Sequence, residues 1–171
     1  MKWTDHVERY TAQFAAVGKL FDTEEPVVVS PGWEAANVYL VRGSYALQLE
    51  ISREYADLFL YLVRLVDGKL PGKHSLQKYE DGTWCREAVQ NIYGIQLKPH
   101  RDLLNNYCDE TVTAQMNDRM EELLDLVRTN PQPLLDILEG RKPYRPTWLP
   151  PDPKPCPRLS GSSSGSTAAG R

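Results

Sequence analysis

A thiol, two imidazoles and a cluster of carboxylates are the groups in this chain best suited to chemistry. Cys85 follows Thr83 and Trp84. With Thr83 as an N-cap it stands in the first turn of a helix expected over residues 84–93, where free backbone N–H groups and the helix dipole favour a thiolate. A cysteine nucleophile also needs a base and a group to orient that base. His74 and His100 are the candidate bases, with Asp81 and Asp102 as orienters. The plainer reading is a half-buried thiol beside Trp84. Taken as metal ligands, His74, Cys85, His100 and Cys108 are spaced by 11, 15 and 8 positions. That matches no paired-ligand pattern of structural zinc, so no metal and no cofactor are expected. Glu50, Glu54 and Asp57 gather around one turn. Paired carboxylates act as general acid and base when their surroundings separate their pKa values, but Arg53 and Arg64 nearby make ordinary ion pairs the simpler account. GxGxxG, Walker A and HExxH sequences are absent, which removes several common motif-bearing enzyme classes.

The fold that must position these groups has 171 residues, 41% apolar and 25% charged, as in one globular domain with its own core. Its longest uninterrupted apolar run, Leu58 to Val63, is six residues, against roughly 20 for a membrane-spanning helix. No membrane association is expected. The amino terminus carries charges where a secretory signal needs an apolar stretch, and the three cysteines include no CxxC pair. The expectation is a cytoplasmic protein with reduced thiols.

Residues 5–20 form an amphipathic helix, with Val7, Tyr10, Phe14, Val17 and Phe21 at steps of three and four, Asp5 as N-cap and Glu8 completing a capping box. Beyond Phe21 the period changes to two. Residues 26–30, 36–41 and 45–51 read as strands, and in the last of them Tyr45, Leu47, Leu49 and Ile51 face one way while Ala46, Gln48, Glu50 and Ser52 face the other. Leu58 to Leu65 is apolar on both faces, as in a central strand. Short connections at Gly43 and Gly68 favour antiparallel neighbours, and residues 74–79 offer a further strand. Helices follow at 84–93, ending at Gly94, then at 99–106, Thr111 to Arg128 and 133–139. The fold class is therefore α+β: an N-terminal helix, an antiparallel β-meander of four to five strands, and C-terminal helices. Residues 1–140 make the domain. Residues 141–157 contain seven prolines and 160–171 are rich in Ser and Gly. Such a tail buries too little apolar surface to offset its ordering entropy and is expected to be extended and disordered.

The net charge of −3 is unevenly divided, with +5 on residues 141–171 and −8 on residues 1–140. An acidic body repels phosphate backbones, so nucleic acid is not the expected partner. Residues 101–140 hold nine acids against three arginines. Asp118, Glu121, Glu122 and Asp125 share a face of the strongest helix, opposite Val112, Met116, Met120, Leu123, Leu124 and Val127. Such a face is ordinarily a solvated surface, yet this density of charge also steers a basic protein. Tyr144 and Trp148, set among prolines and basic residues, form either a docking segment or a tail lying across its own domain.

The stretch Tyr39 to Ile51, followed by Asp57 to Leu65 and by Asp67-Gly68-Lys69-Leu70-Pro71, resembles uncharacterised small bacterial α+β proteins. These include proteins similar to the immunity partners of secreted toxins. The likeness covers about 35 residues of strand alternation and turn and carries over no functional residue. It implies a non-catalytic protein that binds and masks another protein. The reading that follows is a cytoplasmic protein-binding domain whose acidic helical surface or exposed sheet face engages and masks a protein partner, a basic one on the acidic side. The alternatives are a small enzyme using Cys85 and an assembly protein tethered by its tail.

Overall fold

The computed structural model describes residues 2–23, 25–29, 35–65, 68–70, 86–98 and 109–143. In chain order they form α1 (Trp3–Phe21), β1 (Val27–Val29), β2 (Ala35–Arg42), β3 (Tyr45–Ser52), β4 (Asp57–Arg64), β5 (Arg86–Ala88), α2 (Val89–Tyr93), α3 (Asp109–Thr129) and α4 (Gln132–Leu138). The strands make one five-stranded sheet in the order β1-β2-β3-β4-β5, with every neighbouring pair antiparallel. The α+β class, the N-terminal helix, the meander and the C-terminal helices are thus all present. The expected strand at 74–79, the expected helix at 99–106 and the tail beyond residue 143 lie outside the described residues.

Helix α1 starts earlier than its sequence pattern suggests. Lys2 is the N-cap, and Asp5 lies inside the first turn, where its Oδ2 accepts the Lys2 backbone N–H at 3.0 Å. Asp5 therefore serves the helix start from the N3 side of a capping arrangement, where its charge also suits the dipole. The apolar stripe is as expected: Tyr10, Phe14, Val17 and Phe21 are buried against the sheet, with Val7 packed beside them. Tyr10 also reaches α3, donating its hydroxyl to Asn117 Oδ1 at 2.9 Å. Gly18 permits the close approach of α1 to β2, since a Cβ there would stand 2.6 Å from Thr23 Oγ1 and 3.3 Å from Leu40 Cδ2.

The β2–β3 hairpin turns through Gly43 and Ser44 between the paired residues Arg42 and Tyr45. Gly43 has a φ of 59° at the first loop position, where a type II′ turn requires it. Strand register then assigns each face. Val38 pairs with Leu49 and Leu49 with Leu60, while Leu40 pairs with Leu47 and Leu47 with Leu62. These rows are covered by α1, α3, α4 and the Val89 end of α2, which together make the main core. The opposite face carries a smaller apolar cluster of Tyr39, Ala46, Val63 and Leu65, packed with Val41, Tyr61 and Leu70. Strand β4, apolar on both faces in sequence, serves both clusters.

One expected element is of a different kind. Residues 84–93 read as a single helix, but Arg86–Ala88 is a strand paired with Tyr61–Val63 of β4, and the helix begins at Val89. The residues Arg-Glu-Ala favour helix locally, so tertiary pairing overrides their propensity here. The helix still ends as expected at Gly94, whose φ of 65° accommodates the left-handed C-cap.

Leu47 is fully buried at the centre of the sheet, on β3 between β2 and β4. Leu47→Ala is expected to lower the unfolding free energy by about 2–5 kcal/mol, measured as a reduced urea midpoint with an unchanged slope.

Candidate functional site

The most heavily built polar site lies where α3 crosses the start of β4. Arg119 sits on the apolar ladder of α3, seven residues after Val112 and three after Met116, and is buried with a side-chain exposure of 6%. A guanidinium in that setting needs acceptors from every side. Its Nε donates to Asp57 Oδ1 at 3.2 Å and its Nη2 to the Lys98 carbonyl at 2.7 Å. Its Nη1 donates to Glu122 Oε2, one turn along the same helix. Glu122 in turn accepts the Lys98 backbone N–H through Oε1 at 2.9 Å. Strand β4, helix α3 and the segment after α2 thus meet on one buried cation.

Outside this cluster α3 borders an open cavity of about 790 Å³. Its lining includes Asp118, Glu121, Glu122 and Asp125, together with Lys98 and Gln115. The four acids singled out by sequence therefore line one groove, and they divide into two kinds. Glu122 is half-buried and engaged with Arg119. Asp118, Glu121 and Asp125 are exposed, and none of the three forms a hydrogen bond or ion pair among the described residues. Chemically, the groove is an array of free carboxylates backed by the ion cluster of Arg119 with Glu122 and Asp57.

The other sequence candidates separate. Cys85, His74, His100, Tyr144 and Trp148 lie outside the described residues. The case for an activated Cys85 rested on a helix starting at Thr83, and that basis is removed because residues 86–88 are a strand. The carboxylates expected at one turn are drawn apart: Asp57 goes to Arg119, and Glu50 pairs with Arg86 at 2.6 Å. Neither uses the Arg53 or Arg64 partners expected from the sequence. Among the described residues no three His, Cys, Asp or Glu side chains are grouped to hold a metal ion, and no described helix is long and apolar enough to cross a membrane.

A second polar group occupies the far face of the sheet. Arg86 links Glu50 to the ring of Tyr61, with its Cζ 4.0 Å from the ring centroid. Gln48, fully buried, donates to Asn37 Oδ1 at 2.7 Å. Burial pushes the Tyr61 hydroxyl up to about 12, against the opposing pull of Arg86. Sequence reading missed Arg119 and Arg86 as positioning residues. The spacing Val112, Met116, Arg119, Leu123 was a readable sign of the first, because a charge on an apolar ladder requires a buried counter-charge. Arg86 had no such sign, since its role depends on strand pairing.

Arg119→Met is expected to cost about 3–5 kcal/mol by breaking the buried Arg119–Asp57 pair, and adding Asp57→Asn should restore part of the loss in urea unfolding. Tyr61 should ionise only near 12. Because that value is raised, its contribution is complete below the unfolded value of about 10 and is lost as pH rises towards the folded value. Absorbance titration of the wild type and Tyr61→Phe checks this, with one late-ionising group missing from the variant.

Compared with known proteins, the chain matches no family model, no curated protein and no solved structure.

Proposed function

We propose that this chain is a non-catalytic cytoplasmic protein-binding domain that engages and masks a basic protein through the acidic face of α3, as the immunity-like proteins it resembles would. The observation that carries this reading is the array of free carboxylates, Asp118, Glu121 and Asp125, along one groove of a rigidly held helix. On a helix, positions separated by three, four and seven residues share a side. These three therefore present a line of negative charge, while the positive charge of Arg119 is turned inward and neutralised. A partner with lysines or arginines at matching spacing would be steered to this side at a rate that falls with salt.

Affinity capture from a lysate of the cells that make the protein tests the reading at low and high salt, using wild type and the triple variant Asp118→Asn, Glu121→Gln, Asp125→Asn. The wild type should retain a basic protein at low salt and release it near 1 M, where the screening length falls to about 3 Å. With exposed pairs contributing up to about 1 kcal/mol each, the triple variant should bind roughly ten- to a hundred-fold more weakly. Equal retention of that partner by the triple variant, or retention unchanged at high salt, would overturn the reading.

A further inference from the structure

The two edges of the sheet are built differently. Strand β5 is guarded: Arg86 pairs with Glu50, Glu87 is buried, and the chain passes directly into α2. Strand β1 consists of Val27, Val28 and Val29 and pairs only with β2 among the described residues. All three valines are exposed, at 42%, 45% and 39%. Register divides them between the faces. Val28 lies beside Val38 on the helical side, while Val27 and Val29 lie beside Tyr39 and Asn37 on the far side. Both faces of β1 are therefore open. The strand also lacks a charge or a proline of its own, the usual protections of an edge whose outward N–H and C=O groups have no strand to bond.

We propose that β1 is a strand-addition site for an extended segment of another protein, β-branched at its centre and carrying Lys or Arg two residues further on. Antiparallel addition continues the pattern of every pair in this sheet. The β-branched residues then lie opposite Val29, Val28 and Val27, and the basic residue comes level with Glu25. Glu25 is exposed and forms no ion pair among the described residues. Main-chain hydrogen bonds supply affinity in this mode of binding, and alternate side chains supply selectivity. Pro26 has no N–H to donate and Pro31 follows the strand by two positions, so the added ladder is confined between them.

Area and charge decide against a second copy of this chain as the occupant. Three residues at about 3.3 Å each make an edge roughly 10 Å long, a contact on the order of 100 Å² where a stable dimer needs about 800 Å² per partner. Residues 1–140 also carry −8, so two copies repel each other. A segment with a basic residue has the opposite sign and is drawn to Glu25. The same small area makes the complex transient, with a Kd of about 1 mM for an isolated segment. The site is separate from the acidic groove, because α3 packs on β4 while β2 and β3 lie between β4 and β1.

NMR titration of the isotopically labelled full chain with the capped synthetic peptide Ser-Val-Val-Val-Thr-Lys-Ser tests this. Saturable amide shifts are expected at residues 25–29 and at their neighbours 37–39 on β2. Replacing the central valine of the peptide by proline should abolish them, since proline cannot complete a ladder. Val28→Lys, at an exposed position, should weaken binding about tenfold by charging the edge, and Glu25→Gln by about two- to fivefold. The triple variant Asp118→Asn, Glu121→Gln, Asp125→Asn should bind the peptide as the wild type does. No saturable shift up to about 10 mM peptide, or equal binding of the proline peptide, would overturn the proposal. So would shifts along α3 that vanish in the triple variant, which would place the peptide in the acidic groove. Shifts of β1 that grow with protein concentration in the absence of peptide would assign the edge to a second copy and overturn it equally. Nuclear Overhauser contacts to the outward side of β1 from another segment of the same molecule would do the same.

Discussion

Burying the Arg119 guanidinium costs several kcal/mol in lost hydration, and that cost is met only where acceptors converge. Here they come from three separate places in the chain: the first residue of β4, the next turn of α3, and the Lys98 carbonyl beyond α2. Apolar packing is non-directional, so the ladder of Val112, Met116, Met120, Leu123 and Val127 alone would tolerate sliding and rotation of α3 on the sheet. The hydrogen bonds of a planar guanidinium do not. A rotation of one residue would carry Arg119 about 100° away from Asp57 and from the Lys98 carbonyl, breaking two of its hydrogen bonds. The ion cluster is the constraint that sets how α3 sits.

The character of the groove follows from that setting. Glu122 lies three residues after Arg119, the right spacing to fold back onto the guanidinium, and it is consumed by it. Asp118, Glu121 and Asp125 fall on neighbouring positions of the wheel that turn outward, so their charge faces solvent. Four acids that are equivalent in sequence thus become one inner carboxylate, Glu122, engaged by Arg119, and a negative outer line of three. Any partner that reads this surface meets carboxylates whose spacing is fixed by an internal cation.

Much of this fold was legible in the sequence because its signals are local. The period-four stripe of α1, the alternation of β3 and the apolar ladder of α3 each correspond to a face buried as expected. Gly43 and Gly94 mark a turn and a helix end, since each needs positive φ. What was not legible depends on distant pairing. Arg86–Ala88 has helical composition and becomes a strand because β4 offers an open edge at Tyr61–Val63. The same pairing decides that Glu50 meets Arg86 and not Arg53 or Arg64. The four acids of α3 were visible as a face, but their division required knowing that Arg119 points inward to Asp57, which lies 62 residues away.

The two faces of the sheet also explain how its register is held. One face is mostly apolar beneath the helices, with Glu87 its buried exception, while the other has Asn37, Gln48, Glu50 and Arg86 among its apolar residues. Because side chains alternate, slipping β3 by one residue would move Gln48 and Glu50 into the helical core and turn Leu47 and Leu49 outward. Buried amides and carboxylates without partners cost several times more than the apolar contacts could return. The polar residues on the far face therefore stabilise the correct pairing by making the alternatives expensive. They also require that their own face remain a place where polar atoms find partners, and this gives the two sides of one sheet different chemistry.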